Sequence, residues 1–289
     1  MKVGDDLRQD ALILQLLKVM DAIWRKEGLD MQMKVYDCIS TGFERGLLQV
    51  VLDANTLGNQ ILDATDTKSS NAGKRRPSGG MMRKVASAMR ALTSFDTMKN
   101  WLYSEVIKDL GVSATEEQYQ EEMDKRIQSF MFSSAAYCVA SYVLGLGDRH
   151  NDNLMMTKFG HFFHIDFGHI LGNFKYKLGI KRERAPFVFT HTMKAVMGDE
   201  NFEAFVELCC DVYNILRESS GLLVSLVSLA IPCELPELQD EKDVQWLYDK
   251  LLVGKTDDEA SAHFKKELDL AIKTVGTRIN DAAHMIAHA

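Results

Sequence analysis

The sequence predicts an α+β fold that has a small sheet and a large helical part. Apolar residues recur at helical spacing through most of the chain, whereas β-type segments are short and lie in residues 31–51 and near residue 160. No internal repeat is visible. With 289 residues, 46% apolar and 26% charged, the chain is long enough to bury a substantial core and to form two lobes.

The first predicted element is a helix within residues 10–28. Its apolar residues fall at helical spacing and Gly28 supplies a stop: Ile13, Leu16, Leu17, Met20 and Trp24. The segments "MQMKVY" (31–36) and "GLLQVV" (46–51) predict two strands, joined by a polar turn that carries Gly42 and Gly46.

The middle of the chain alternates a loop with two helices. Residues 66–82 are rich in Ser, Gly and basic residues and predict a surface loop inside the domain. Helical patterns follow over 83–110 and 116–144, and the second ends at Gly145 and Gly147. Residues 130–147 come closest to a membrane span, but their Ser, Tyr and Cys content favours a buried helix.

The last part of the chain begins with a hairpin. The segment "NLMMTKFGHFFHIDFG" predicts two strands that turn at residues 158–160, and from Phe202 the pattern is helical almost to the end.

Composition excludes several functional classes. With 34 basic and 41 acidic residues the net charge is −7, which argues against a nucleic-acid binder, so an anionic partner needs a local basic patch. The five cysteines include no CxxC pair, so neither a disulfide framework nor a zinc site is indicated, and a reducing cytosol fits best. The N-terminus shows no apolar signal core.

One stretch combines acid, base and amide directly after the buried helix. In "GLGDRHNDNLM" (145–155), Asp148 precedes Asn153 by five residues, and the Asp166 of a "DFG" motif follows 13 residues later. Protein kinases place a catalytic Asp and two metal ligands in this order. Mg²⁺ prefers oxygen ligands, which Asn153 and Asp166 supply, while Asp148 and His150 can orient a hydroxyl and take its proton.

The hairpin explains how these residues can meet. Two antiparallel strands joined by a turn at Gly160 place residues on either side of the turn at one cavity. The buried helix before Gly145 gives the catalytic residues a rigid support. An Asp- and Asn-rich turn after a helix is also common as a simple solvated cap, but the two motifs at this separation favour a phosphoryl-transfer site.

The same motifs resemble the phosphatidylinositol 3-kinase and 4-kinase superfamily. The resemblance rests on "GDRHNDN", "HIDFGHILGNF", "GDDLRQD" (4–10), "CISTG" (38–42) and "PELQDEKDVQWLYDKLLVGKTDDEA" ending at Ala260, and it is closest to class I phosphoinositide 3-kinases. It implies a protein-kinase-like, two-lobed fold with a truncated N-lobe (1–51) and a large helical C-lobe (52–289). The C-lobe would contain a catalytic loop at 145–153, an activation loop at 164–190 and C-terminal helices.

The resemblance also assigns ATP and Mg²⁺ as cofactors and gives individual residues roles. Lys2 would contact the ATP phosphates and Asp10 would help to hold that lysine and the nucleotide. His150 resembles the general base on the inositol hydroxyl, Asp148 orients it, and His169 is a second histidine near the transferred phosphate. The adenine pocket would be formed by the inner-pocket residue, two hinge residues and two residues below the base: Tyr36, Gln49, Val51, Met155 and Ile165.

A basic segment suggests the lipid substrate. "KYKLGIKRER" (175–184) sets five cations against Glu183 alone, and these cations suit a phosphorylated headgroup: Lys175, Lys177, Lys181, Arg182 and Arg184. The alternative is a solvated loop in nonspecific contact with anionic membrane. In class I enzymes this pattern is associated with phosphatidylinositol 4,5-bisphosphate, although "RAPFVFT" is closer to class II.

Two departures from the family bear on activity. The strands and the phosphate-covering loop that precede the lysine in the family are absent, which suggests a catalytic-domain fragment. Asp281 stands where the family has a Trp in its terminal membrane-contacting helix, which should weaken membrane insertion.

Three hypotheses follow. We expect a cytoplasmic lipid kinase that is recruited peripherally to a membrane containing its phosphoinositide, with a regulatory subunit as a further partner and no nucleic acid. The alternatives are a Ser/Thr protein kinase of the related branch and an inactive nucleotide-binding fragment.

Overall fold

The computed structural model describes residues 1–60, 97–173, 176–177, 180–181 and 185–287, with the main chain only for 176–177, 180–181 and 275–287. The helices in these ranges are α1 (Arg8–Lys26), α2 (Thr97–Leu110), α3 (Glu116–Leu144), α4 (His191–Met197), α5 (Asp199–Glu218), α6 (Ser220–Ala230), α7 (Glu241–Lys250) and α8 (Asp257–Ala287). The strands are β1 (Lys2–Val3), β2 (Cys38–Gly42), β3 (Arg45–Leu48), β4 (Ala54–Thr56), β5 (Leu154–Thr157), β6 (Phe162–His164), β7 (Tyr176–Lys177) and β8 (Ile180–Lys181). The predicted α+β class is confirmed, while the division into lobes after residue 51 stays a prediction.

Helix α1 forms where the helical spacing predicts it. The apolar positions Ile13, Leu16, Leu17, Met20 and Trp24 are all buried. The indole Nε1 of Trp24 donates to the main-chain oxygen of Val212 on α5 at 2.8 Å. This face therefore attaches α1 to the helical part of the molecule, and the N-terminal end of α1 is directed to the site described below.

The first sheet has the strand order β1-β3-β2 and differs from the prediction. Residues 31–36 form no strand, and pairing starts at Cys38, which lies opposite Leu48. The apolar residues Met31, Met33 and Tyr36 of this segment are nevertheless buried. These side chains enter the core from an unpaired segment, so burial alone produced the pattern.

Helix α3 has the predicted bounds and is the centre of the fold. It begins with a capping box between Thr115 and Gln118, and it ends at Gly145, whose φ of 59° is left-handed. By length and composition α3 is a candidate membrane span, as are α5 and the segment 220–233 taken together, but 72% of the apolar window of α3 is buried inside the protein. The expected core helix is the better description.

The second sheet, β4-β5-β6, carries the predicted hairpin. Leu154 pairs with His164 and Met156 pairs with Phe162. Gly160 has φ +89°, and a Cβ there would lie 2.1 Å from the main-chain oxygen of Arg126 on α3. Only glycine fits this turn, which fixes the hairpin against α3.

The C-terminal helices cover α3 through an aromatic cluster. Tyr142 on α3 meets Tyr213 of α5 and Phe264 of α8 at ring-centroid distances of 5.8 and 5.5 Å. The predicted helical pattern after Phe202 is confirmed over most of its length, and α4 was missed. The predicted helix 83–110 is described only from Thr97 onward, and the predicted loop 66–82 lies outside the described residues.

Candidate active site

The catalytic loop is bound to the segment that follows "DFG". After α3 ends, the Gly147 main-chain N–H donates to the His169 oxygen at 2.9 Å, and the Leu171 N–H donates to the Leu144 oxygen at 2.8 Å. The two stretches that carry the sequence motifs therefore run side by side at the end of a buried helix.

Arg149 holds this arrangement from inside. Its guanidinium donates to the main-chain oxygens of Gly147 (Nε, 2.6 Å) and Ile165 (Nη1, 2.7 Å), and also to that of Asp166. Burial lowers the pKa of Arg149, although the charges of Asp166 and Asp148 oppose that shift. Arg149 carries no predicted role, yet its side chain connects the catalytic loop to the "DFG" segment.

The two predicted metal ligands lie on neighbouring backbone segments. The Ile165 N–H donates to the Asn153 oxygen at 3.1 Å, so Asp166 directly follows the residue that pairs with Asn153. Asn153 is buried, and its Nδ2 donates to the main-chain oxygen of Asp148 at 3.0 Å, which leaves Oδ1 as the remaining polar atom. The structure thus brings the main chains of Asp148, Asn153 and Asp166 together, as the motif spacing predicts.

Asp166 presents a carboxylate that is accessible to a cation. Its side chain is exposed, and within the described part of the chain its carboxylate makes no hydrogen bond or ion pair. Asp166 and Asp148 also have positive φ values of 62° and 56°. Such backbone strain often occurs at functional sites.

The donor set fits Mg²⁺ if substrate phosphates complete the shell. Among the residues that the structure describes there is no cluster of three or more His, Cys, Asp or Glu that could hold a metal alone. Mg²⁺ typically takes one or two carboxylates together with phosphate oxygens and water. One carboxylate from Asp166 and one amide oxygen from Asn153 correspond to that pattern.

Lys2 and Asp10 lie in the electrostatic field of Asp166. Lys2 Nζ forms an ion pair with Asp5 at 2.5 Å. Burial lowers the pKa of Lys2, but the hydrogen bond to Asp5 outweighs it together with the charges of Asp5, Asp166 and Asp10, so the net direction is upward. The lysine is therefore a firmly charged cation beside the acidic residues, as contact with phosphate requires.

Two residues in the first turn of α1 form hydrogen bonds with the main chain of the "DFG" phenylalanine. Asp10 Oδ1 accepts the Phe167 N–H at 3.1 Å, and Gln9 Nε2 donates to the Phe167 oxygen at 2.8 Å. Both side chains are buried. Asp10 was predicted as a nucleotide-site residue, whereas Gln9 was missed, although it belongs to the same "RQD" motif.

The predicted adenine-pocket residues lie at the edge of the core. Tyr36 is buried, and burial raises its pKa far above the ordinary range. The Gln49 N–H donates to the Asp37 oxygen at 2.8 Å. The other three are half-buried and pack against the core from the solvent side: Val51, Met155 and Ile165.

The two histidines differ in their environment. The His150 side chain is 53% exposed, and its Nδ1 accepts the Asp152 N–H at 3.3 Å. His169 is 24% exposed, and its Nδ1 lies 2.6 Å from Oε1 of Glu237. Their assigned roles in catalysis stay predictions.

The five predicted headgroup residues all belong to the segment 175–184. Lys175, Arg182 and Arg184 lie outside the described residues. Lys177 and Lys181 belong to the β7–β8 hairpin, in which Lys177 pairs with Ile180, and only their main chain is described. Their role stays a prediction, as does the effect of Asp281, whose side chain is not described.

Comparison with known proteins decides the family. The family model described as phosphatidylinositol 3- and 4-kinase matches residues 1–240. The chain belongs to the phosphatidylinositol 3- and 4-kinase family. It is 42% identical to phosphatidylinositol 3-kinase 2 of Dictyostelium discoideum over 290 residues, covering 99% of this chain and 14% of that protein.

Two human proteins of this family are similar over the same length. The human phosphatidylinositol 3-kinase C2 domain-containing subunit gamma is 39% identical over 291 residues, with 99% of this chain and 17% of that protein covered. The human phosphatidylinositol 4-phosphate 3-kinase C2 domain-containing subunit beta is 37% identical, with 99% and 16% covered. The chain thus spans only about a sixth of the length of these kinases. The predicted family is confirmed, and the class I assignment stays a prediction.

Proposed function

We propose that the chain is the catalytic part of a lipid kinase, which transfers the γ-phosphate of ATP to the 3-hydroxyl of phosphatidylinositol lipids. The observation that carries the proposal is the placement of Asn153 beside the "DFG" segment, with Asp166 exposed and its carboxylate unpaired within the described part of the chain. The similar proteins are named phosphatidylinositol 3-kinases, and a kinase domain implies ATP use.

The residues divide the work of phosphoryl transfer. Asn153 and Asp166 would hold Mg²⁺, which when bound neutralises charge on the phosphate oxygens. Lys2 places a positive charge near the Asp166 carboxylate. Asp148 would orient the attacking hydroxyl, and the exposed His150 would take its proton, because imidazole is the side chain that most often acts as a general base.

Phosphatidylinositol 4,5-bisphosphate is the substrate we propose first. Five cations in residues 175–184 match a headgroup that carries several phosphates. One similar protein is named a phosphatidylinositol 4-phosphate 3-kinase, so the 4-phosphate is the competing substrate. The choice between class I and class II depends on the same comparison of lipids.

Location and partners follow from the lipid substrate. We propose a cytoplasmic protein that binds a phosphoinositide-containing membrane peripherally and associates with a regulatory subunit. The net charge of −7 supports the absence of a nucleic-acid partner.

A single assay separates the three hypotheses. The protein is incubated with labelled ATP, Mg²⁺ and vesicles that contain phosphatidylinositol, its 4-phosphate or its 4,5-bisphosphate, alongside a protein substrate. Label in 3-phosphorylated lipid supports the proposal and ranks the three lipids. Label in protein alone would indicate the Ser/Thr kinase, and label in neither would leave a nucleotide-binding fragment.

Replacing His150 with glutamine should lower kcat for lipid phosphorylation by about a hundredfold, because a general base typically contributes that much or more. The side chain is half exposed, so the fold and ATP affinity should be unchanged. Steady-state kinetics, nucleotide titration and thermal melting measure the three quantities. His191→Gln, an exposed histidine at the start of α4, is the control. An unchanged kcat in His150→Gln would show that His150 is not the general base.

Replacing Asp10 with asparagine should stabilise the protein and weaken the enzyme. Burial, together with the charge of Asp166, raises the pKa of Asp10. Between the ordinary Asp pKa, about 3.9, and this raised value, the folded state holds a proton that the unfolded state has lost, so this group's contribution to stability falls as pH rises. Asparagine removes that cost and can still accept the Phe167 N–H.

The comparison is made as a function of pH. The melting temperature of Asp10→Asn minus that of the wild type should be positive at pH 7 and shrink as pH falls toward 4.5. Activity should drop about tenfold, because Asp10 helps to position site residues. A variant that is less stable than the wild type at pH 7 would show that the charged carboxylate contributes more through the Phe167 hydrogen bond than its burial costs.

A further inference from the structure

Both carboxylate oxygens of Glu237 contact the segment that follows "DFG". Oε1 lies 2.6 Å from Nδ1 of His169, and Oε2 accepts the main-chain N–H of Ile170 at 2.6 Å. Glu237 belongs to the "PELQ" stretch between α6 and α7, 68 residues further along the chain from His169. The sequence motifs assign no individual role to this residue.

The main chain of Glu237 is fixed as well. Its oxygen accepts Asn173 Nδ2 at 3.2 Å, and its N–H donates to Gln9 Oε1 at 3.1 Å. Gln9 is the buried residue whose Nε2 holds the Phe167 oxygen. One glutamine therefore connects the "DFG" phenylalanine to the backbone that carries the glutamate.

The contact determines where the proton of His169 resides. An ionised carboxylate has no hydrogen to donate, so Nδ1 must carry the hydrogen that lies between the two residues. In the neutral imidazole the lone pair is then on Nε2. The side chains of His169 and Glu237 are only 24% and 16% exposed, so water competes weakly for this contact.

Within the described part of the chain, His150 has no such partner. Its Nδ1 accepts a single main-chain N–H at 3.3 Å, a long hydrogen bond on a side chain that is 53% exposed. A carboxylate oxygen of Asp152 lies 3.8 Å from the same Nδ1. Of these two rings, only His169 has its tautomer set by a short contact to a carboxylate.

We propose that Glu237 is a positioning residue for phosphoryl transfer: it orients the His169 ring and keeps the proton on Nδ1, so that Nε2 faces the reaction with a lone pair. This inference rests on the proposed lipid-kinase function. The principle is that of any buried acid that orients a catalytic imidazole, where the acid acts on tautomer and angle and does not itself react.

The test is Glu237→Gln. Each carboxylate oxygen of Glu237 faces one donor, and in glutamine an NH2 group replaces one of these oxygens, so either His169 Nδ1–H or the Ile170 N–H loses its acceptor. We expect kcat for lipid phosphorylation to fall about ten- to a hundredfold, with the KM for ATP within about twofold of the wild type, because the chain's predicted adenine and metal residues are untouched. The ring ¹⁵N shifts of His169, assigned through His169→Gln, should change from protonated Nδ1 to a mixture of tautomers.

Two further variants make the result specific. Glu241→Gln changes the same charge on an exposed residue four positions along and should leave kcat and the His169 spectrum unchanged. Glu237→Asp keeps the charge but shortens the reach, so it should restore less than the full activity. Thermal melting identifies any variant that loses its fold. If Glu237→Gln does not fold, the ring ¹⁵N spectrum of His169 in Glu237→Asp tests whether residue 237 sets the tautomer.

The outcomes separate the inference from the proposed function. A wild-type kinase whose kcat and His169 tautomer survive Glu237→Gln would overturn the positioning role. A fall in kcat with an unchanged tautomer would also overturn it, since Glu237 would then act by another route. A wild type that phosphorylates no lipid, but whose His169 tautomer changes in the variant, would refute the lipid-kinase function and leave the placement of the proton by Glu237 standing.

Discussion

Asp166→Asn should lower lipid phosphorylation by about a thousandfold while leaving the fold intact, the size of effect seen when one preorganised electrostatic group is removed from a transition state. The substitution removes the one carboxylate of the proposed metal pair, and Asn153 supplies only a neutral oxygen. The field of Asp166 also raises the pKa of Lys2, so the cation and the acid form one electrostatic unit around the phosphates.

Stability should change little for two structural reasons. The side chain of Asp166 is exposed and, among the described residues, its carboxylate has no partner to lose. Its φ of 62° is left-handed, a conformation that asparagine adopts about as readily as aspartate. Unfolding free energy should therefore stay within about 0.5 kcal/mol of the wild type, as for other exposed substitutions.

The measurement is single-turnover transfer from labelled ATP to lipid vesicles, repeated over a range of Mg²⁺ concentrations. Asp53→Asn is the matched control, because Asp53 is also exposed and also has a left-handed φ, of 54°, but lies outside the proposed site. If Asp166→Asn keeps more than about a tenth of the wild-type rate, a direct role in metal binding is wrong.

Local sequence signals predicted the parts of the fold that are stabilised locally. The bounds of α3 follow from Thr115 and Gln118 at one end and Gly145 at the other, all within a few residues of the helix end. The β5–β6 hairpin follows from Gly160 in the same way. The spacing of Asp148, Asn153 and Asp166 was informative because a short hairpin converts distance along the chain into proximity.

Contacts between distant segments could not be predicted. Gln9 meets Glu237 across 228 residues and Phe167 across 158, so no local pattern could signal either contact. Residues 31–36 show the opposite failure. Their apolar composition is typical of a strand, but the Lys34 oxygen accepts the hydroxyl of Tyr137 on α3 at 2.7 Å, a tertiary partner that replaces one expected in a sheet.

The largest stability loss we expect is from Trp24→Ala, about 3–5 kcal/mol of unfolding free energy. Trp24 is fully buried, so the substitution leaves a cavity between α1 and α5. It also removes the 2.8 Å hydrogen bond from the indole to the Val212 oxygen. Urea denaturation followed by far-UV circular dichroism measures the loss, and a change below about 1 kcal/mol would contradict the packing described for α1.

Trp24→Phe separates the two contributions. It keeps most of the aromatic volume and loses the indole N–H, so it should cost about 1–2 kcal/mol, the typical cost of a missing hydrogen bond with slight underpacking. Either substitution would affect the candidate active site through α1, because Gln9 and Asp10 in its first turn form hydrogen bonds with Phe167. Because Trp24 lies at the other end of the same rigid helix, kcat per folded molecule should be nearly unchanged in Trp24→Phe. If fully folded Trp24→Phe lost kcat, the weakened contact with α5 would have let α1 shift along its axis. That shift would displace Gln9 and Asp10 from their hydrogen bonds with Phe167.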